Sequence, residues 1–265
     1  MAGLTVANET APADQVDGRQ WSCIEFIADL HLQKSSVATF QAWSNYLQHL
    51  QADALFILGD LFEVWVGDDI LEHPEGEFER QCLALIHQTS QRLPVFWMVG
   101  NRDFLLGQRA LGHSGMQALS DPCVLHTRHG NGLLSHGDAL CLADTDYQQF
   151  RQQVRSAPWQ TDFLSQPLPM RLAAARSLRA QSEARKALSS QLVDLDPLAT
   201  QAWMTQAQTT WMVHGHTHQP ACHELGQGMQ RWVLSDWDGD AKPPRLQALR
   251  WDVQSGFVRA EAAKA

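Results

Sequence analysis

The stretch Ala54-Leu-Phe-Ile-Leu-Gly-Asp-Leu-Phe-Glu-Val-Trp-Val66 decides the fold. Its first five residues are all apolar, which predicts a strand covered on both faces. The run stops at Gly59-Asp60 and so delivers a carboxylate to the rim of a sheet. In open α/β sheets such rims, at the carboxyl ends of strands, are where ligands collect. Gly-Asp alone is commonly just a turn, but four other stretches end the same way. A predicted strand at Trp21–Ala28 breaks at Asp29-Leu-His31, and one at Leu93–Val99 breaks at Gly100-Asn-Arg-Asp103. The β segment Gly132–Ser135 leads to His136-Gly-Asp138, and Trp211–Val213 runs into His214-Gly-His-Thr-His218.

These strand ends present Asp29, His31, Asp60, Asn101, His136, His216 and His218, all oxygen or imidazole donors with no cysteine among them. Such a set suits divalent Mn, Fe or Zn in a reactive site rather than a thiolate-bound structural zinc. Seven donors exceed the needs of one tetrahedral ion and suit two ions sharing a carboxylate. Paired ions about 3.5–4 Å apart clamp the attacking and leaving oxygens of a displacement at phosphorus. Two divalent cations outweigh the charges of Asp29 and Asp60. An anionic substrate is therefore drawn to the site although the chain carries a net charge of -9.

The bulk properties narrow the class. A chain of 265 residues can hold one large core or a core with an inserted subdomain. The acidic balance argues against a nucleic-acid partner met through a broad basic surface. Five scattered cysteines without a C-x-x-C pair read as reduced thiols of a cytosolic protein. Residues 1–20 lack the basic start and apolar centre of a signal peptide and read as a loose, disordered tail. No apolar run reaches bilayer-spanning length. From 144 to 206 glycine vanishes while Ala, Gln, Arg and Leu dominate, which favours helix. That segment predicts a helical cap or lid inserted into a core built from 21–143 and 207–260.

The insertion carries a second signal. Between 151 and 186 stand seven basic side chains (Arg151, Arg155, Arg171, Arg176, Arg179, Arg185, Lys186) against Asp162 and Glu183. Trp159, Phe163, Leu164, Leu168, Met170, Leu172 and Leu178 are interleaved with them. A basic, apolar-studded helical stretch on an acidic protein suits an anionic membrane surface or a lipid with a charged head. It equally describes a lid packed on the core with its arginines in water.

Asp29-x-His31, Gly59-Asp60, Gly100-Asn101-x-Asp103, His136-Gly-Asp138 and Gly215-His216-x-His218 together resemble the five motifs of the calcineurin-like metallophosphoesterases. The resemblance covers roughly residues 24–235 and implies an α+β fold of four layers, a β-sandwich flanked by helices. It implies that Asp29, His31, Asp60 and His218 hold one ion and that Asp60, Asn101, His136 and His216 hold the other, with Asp60 bridging. Mn is the expected metal, and Asp60, Arg102 and His216 are the expected catalytic residues.

Position 102 selects among chemistries. Many relatives carry histidine there, able to protonate a leaving alkoxide, whereas a guanidinium stays charged at any working pH. Arg102 can still stabilise charge developing on phosphoryl oxygens. It therefore favours a leaving group already stable as an anion, such as a phosphate, although His214 could supply a proton. The longer stretches Ile27–Leu32, Gly59–Asp69, Gly100–Gly107 and His214–Pro220 resemble the branch of the family that cleaves the pyrophosphate of a UDP-linked diacylglucosamine in lipid A synthesis.

That resemblance implies water attack on the α-phosphate, a nucleotide-linked glycolipid as partner, and no obligate protein partner. It also implies a place on the cytoplasmic face of the inner membrane. Asn101, Arg102, Asp144, Arg179, Ser182 and His216 match substrate contacts. Lys186 and Ser189 stand where the family has asparagine and lysine, so the positive charge has moved about one helical turn. Ala143 replaces an acidic residue. Glu63, Trp65, Asp68 and Asp69 are expected to orient ligands or form turns. Competing expectations are a phosphoesterase acting on a soluble nucleotide and a metal-free scaffold of the same fold.

Overall fold

Alternate residues of the strand Ala54–Leu58 bury into two different cores: Ala54, Phe56 and Leu58 into one, Leu55 and Ile57 into another. Period-two burial on both sides marks a strand with layers above and below it. The computed structural model describes residues 14–188 and 193–262, the side chains of 179–188 excepted. The first half runs β1 (Asp14–Asp17), β2 (Cys23–Ile27), α1 (Val37–His49), β3 (Ala54–Leu58), α2 (Glu77–Ser90), β4 (Val95–Met98), α3 (Gln108–Ser114), β5 (Gln117–Leu119), β6 (Cys123–Thr127) and β7 (Gly130–Ser135). Four helices follow: α4 (Thr145–Val154), α5 (Ala157–Ser165), α6 (Leu168–Leu188) and α7 (Pro197–Gln206). The chain closes with β8 (Trp211–His214), β9 (Cys222–Gly226), β10 (Met229–Val233), β11 (Gln247–Asp252) and β12 (Gly256–Glu261).

The strands make two six-stranded sheets, ordered β12-β11-β2-β3-β4-β5 and β1-β6-β7-β8-β10-β9. In the first, β2, β3 and β4 run parallel, with Ile27 beside Ile57 and Leu58 beside Met98. In the second, β7 and β8 are parallel, with Ser135 beside His214. The carboxyl ends of β2, β3 and β4 therefore share one rim, and those of β7 and β8 share another.

Between the sheets lies an apolar layer in which Phe26, Phe56 and Phe96 meet Leu125, Leu134, Trp211 and Val213. Phe56 and Phe96 stack with centroids 4.7 Å apart. On the outer face of the first sheet, Leu55, Ile57, Val95 and Trp97 pack against Trp43 and Leu47 of α1 and Leu83 and Ile86 of α2. On the outer face of the second, Val124, Leu133 and Met212 pack under Ala199, Trp203 and Met204 of α7. The result is the expected α+β sandwich of four layers.

Three boundaries shift. Residues 14–17, read as part of a loose tail, form β1 and pair in parallel with β6, Asp14 beside Cys123 through Asp17 beside His126. A four-residue, half-charged strand suits a sheet edge and carries little periodicity to read. β9 also went unread, because its Cys-His-Glu-Leu-Gly sequence is short and half exposed. The third shift is α7, which supplies the fourth layer through Met204 and Trp203 and so belongs to the sandwich.

Of the remaining inserted helices, α4 is held to Asp138, whereas α5 and α6 fasten to the α1–α3 side of the molecule. Phe163 and Leu168 are buried there, with Trp159 and Leu172 partly buried beside them. Arg171, 2% exposed, anchors α6 to the loop after β3 by donating to Val66 O and forming an ion pair with Asp69.

Candidate metal centre

Backbone strain marks the site before any side chain is considered. Seven non-glycine residues of the described chain have positive φ, and five of them are Asp29 (53°), His31 (47°), Asp60 (51°), His216 (66°) and His218 (54°). Each such residue costs about 1–3 kcal/mol and persists only where its surroundings hold it. Asp29 N donates to Gly59 O (3.1 Å), His31 N to Asp60 O (3.0 Å) and Trp237 N to Asp29 O (3.0 Å), which locks the loops together. Two motif glycines follow from the crowding. A Cβ on Gly59 would lie 2.3 Å from His136 Nδ1, and one on Gly100 would lie 2.1 Å from Asp60 Oδ1.

All seven predicted donors converge. His31 Nε2 and His218 Nε2 lie 3.3 Å apart, and His218 Nε2 is 3.3 Å from Asp29 Oδ1. On the other side, Asn101 Oδ1 lies 3.0 Å from His136 Nε2 and 2.8 Å from His216 Nδ1. Asp60 stands between, its Oδ2 4.0 Å from His31 Nε2 and its Oδ1 3.8 Å from His136 Nε2. Ligand atoms of Asp29, His31 and His218 fall within 4.8 Å of one another, as do those of Asp29, Asp60 and His136. Asp29 Oδ1 is buried and accepts no hydrogen bond. Facing lone-pair donors with a buried carboxylate oxygen left over fit a divalent cation.

The far nitrogens are also held. His136 Nδ1 lies 2.9 Å from Leu58 O, and His31 Nδ1 lies 3.2 Å from Glu63 Oε2. His218 Nδ1 faces Asp236 at 3.8 Å, and Arg245 clamps that carboxylate with bonds of 2.8–3.1 Å. Such partners turn the opposite nitrogen of each ring towards the site.

Electrostatics of the bare site follow from crowding. Burial disfavours charge on His136, but Asp60, Asp138 and Asp29 outweigh it and raise its pKa to about 9. Burial likewise opposes charge on His31, yet Glu63, Asp60 and Asp29 hold its pKa above the ordinary value. Burial and the neighbouring His136 push His216 down to about 3. Burial would raise Asp29, but His218, His136 and His31 hold it well below the usual carboxylate range. His214, read as a possible proton source, is fully buried with Nδ1 2.8 Å from Gly215 O. Burial and Arg231 lower its pKa to about 4, so it holds no acidic proton at neutral pH.

The predicted substrate residues divide. Arg102 reaches the centre: its N donates to Asp60 Oδ1 at 2.8 Å, and its guanidinium lies 3.5 Å from Glu63 Oε1. Asp144 is exposed and caps α4 by accepting from Tyr147 N at 3.1 Å. The side chains of Arg179, Ser182 and Lys186, and all of Ser189, lie outside the described residues. The expected orienters resolve into distinct duties. Glu63 backs His31, Asp69 pairs with Arg171, and Asp68 accepts from Trp65 Nε1, Gly107 N and Arg109 N.

Two carboxylates of the motifs carry more than their sequence context suggested. Asp103 is fully buried and accepts from Gly100 N and Leu61 N, both at 2.9 Å. Burial and the nearby Asp60 raise its pKa to about 6. Asp138, equally buried, accepts from Tyr147 Oη at 2.6 Å and Arg151 Nε at 2.8 Å. Their place in motifs already signalled importance. Only the fold shows that they act on backbone and on α4.

A sequence profile described as calcineurin-like phosphoesterase matches residues 24–220. The chain is similar to a protein of Bordetella pertussis called UDP-2,3-diacylglucosamine hydrolase, 42% identical over 225 residues, covering 82% of this chain and 87% of that one. Proteins with the same name are similar at 39% identity in Stenotrophomonas maltophilia (87% and 97% covered) and at 40% in Ralstonia nicotianae (97% and 98% covered). With the profile spanning well over half its length and every rim donor at the spacing of the motifs, the chain belongs to the calcineurin-like phosphoesterases.

Proposed function

We propose that the protein hydrolyses the pyrophosphate bond of UDP-2,3-diacylglucosamine by attack of water on the α-phosphate, giving UMP and 2,3-diacylglucosamine 1-phosphate. One observation carries the reading. Asp60 stands between two clusters of donors, one oxygen towards each, with Arg102 beside it. Two divalent ions, Mn by preference, would supply an activated water and neutralise phosphoryl charge. Asp29, His31, Asp60 and His218 would hold one, and Asp60, Asn101, His136 and His216 the other.

The chain's own groups do the rest. Arg102, fixed through its N on Asp60 and its guanidinium near Glu63, is placed to meet charge on the phosphoryl oxygens. With His214 lacking an acidic proton, the site favours a leaving group stable as an anion, which a sugar phosphate is. The relatives' shared name points to the same substrate. Asp144, Arg179, Ser182, Lys186 and Ser189 are the proposed head-group contacts, on family resemblance and helical spacing.

We assign the cap to α4–α6 and its role to covering the acyl chains. Leu164, Met170 and Leu178 are 42%, 59% and 38% exposed there. Arg151, Arg155 and Arg171, counted earlier towards a basic membrane-facing surface, are instead committed to Asp138 and Asp69. Peripheral seating on the inner membrane therefore rests more on apolar contact than on these charges. No helix among the described residues is long and apolar enough to cross a membrane.

Detergent-dispersed UDP-2,3-diacylglucosamine and soluble dinucleoside polyphosphates and cyclic nucleotides, assayed side by side with Mn, test the reading. UMP release from the lipid should exceed turnover of every soluble compound; the reverse order would overturn the substrate assignment.

A further inference from the structure

We propose that Arg155, steadied by Asp138, is a positioning residue: from the first helix of the insertion it fixes the loop Gly100–Phe104 and thereby Asn101 and Arg102. The proposal rests on the function just assigned.

The loop is gripped from two sides at one residue, Gly100. On the core side, Asp103 accepts from Gly100 N at 2.9 Å. On the α4 side, Arg155 donates to Gly100 O at 2.8 Å, and its guanidinium carbon lies 5.4 Å from the Phe104 ring centroid. Gly100 O belongs to the peptide that joins Gly100 to Asn101, so this bond sets the plane from which the Asn101 and Arg102 side chains project. Planar guanidinium geometry permits a hydrogen bond and a ring contact together, which an ammonium cannot reproduce.

Arg155 is itself held. Its NH2 lies 3.6 Å from Asp138 Oδ2, an oxygen that also accepts from Tyr147 Oη and Arg151 Nε. Gln148 Nε2 adds a 2.8 Å bond to Asp138 O. Tyr147 and Arg151 of α4 and Arg155, which caps its carboxyl end, recur every four residues and share one face. Asp138 is two residues beyond His136, so one buried carboxylate ties the His136 strand end, α4 and the Asn101 loop together. Nothing in this linkage places Arg155 against the reacting atoms; it acts through Gly100 and Phe104.

A double-mutant cycle between Arg155→Ala and Arg102→Ala, read on UMP release, tests the role. In the native background Arg155→Ala should lower kcat about tenfold or more while KM stays within about threefold. In the Arg102→Ala background the same change should cost less, no more than about threefold, because of the two side chains it positions only Asn101 remains. Hydrogen exchange at amides 101–105 should quicken in Arg155→Ala, with β3 and β7 unchanged. Arg155→Lys, which keeps the charge and the fold, should show the same exchange effect and serves in the cycle should the alanine variant fail to fold. Equal kcat losses in both backgrounds, or unchanged exchange at 101–105, would overturn the proposal. A wild-type protein inert towards the lipid would count against the assigned reaction, and exchange alone would then judge the positioning role.

Discussion

The strand-end rim and the helical insertion treat their buried charges in opposite ways. Among the described residues of the insertion they are matched within the chain: Arg151 and Arg155 meet Asp138, and Arg171 meets Asp69 and two backbone carbonyls. At the rim metal-capable donor atoms crowd together, with two imidazole nitrogens 3.3 Å apart and Asp29 Oδ1 buried without a hydrogen bond. Five strained backbones are held in place within that arrangement. Charge balanced internally fastens one element to another, whereas balance left incomplete under strain prepares a place for something brought from outside.

The largest test of that contrast removes the shared rim ligand. Asp60→Ala should lower kcat by at least about a thousandfold, since both clusters lose an oxygen at once. Elemental analysis of the purified variant should show a matching loss of Mn. Near-native turnover would break the two-cluster picture. A milder change sharpens it: Glu63→Gln keeps the shape but withdraws the charge behind His31 and beside Arg102. Metal affinity or activity should fall by about 10–100-fold, checked by Mn titration and by kcat.

The rim should also respond to pH in a defined direction. In the metal-free protein His136 titrates at about 9, above its ordinary 6.5, because nearby carboxylates outweigh burial. Its proton therefore stabilises the metal-free fold fully below pH 6.5, and that contribution is lost as pH rises through 9. Cation binding must expel the same proton, so Mn affinity should climb about tenfold per pH unit between 7 and 9. Calorimetry in two buffers of different ionisation enthalpy measures the release; a flat affinity over that interval would contradict it.

The insertion offers the smallest effect and a different readout. Arg171→Met should cost about 2–3 kcal/mol of stability, less than a fully buried pair because Asp69 is 43% exposed. Thermal unfolding should show the loss while Mn stoichiometry stays unchanged. An equal loss of bound Mn would mean that cap and rim do not separate as described.

Much of this was legible in the sequence, for a physical reason. Buried parallel strands are continuous apolar runs, so Ala54–Leu58 and Val95–Met98 announce themselves, and the donor after each run announces the rim. Asp29, His31, Asp60, Asn101, His136, His216 and His218 stood at those ends and came together as expected. What escaped were relations across distance. The cap arginines looked free for a membrane because their acceptors, Asp138 and Asp69, lie 13 and 102 residues away. α7 looked like cap because helical composition does not say which layer a helix covers. Positive φ at aspartate and histidine is only weakly signalled by residue type, since glycine alone adopts that conformation freely.

The central claim is that seven side chains hold a pair of cations through Asp60. Mn titrated into metal-stripped protein and followed by electron paramagnetic resonance tests it most directly. Two ions per chain with an exchange-coupled signal, lost in Asp60→Ala, is the predicted result. One ion per chain, or two magnetically isolated ones in the native protein, would contradict it.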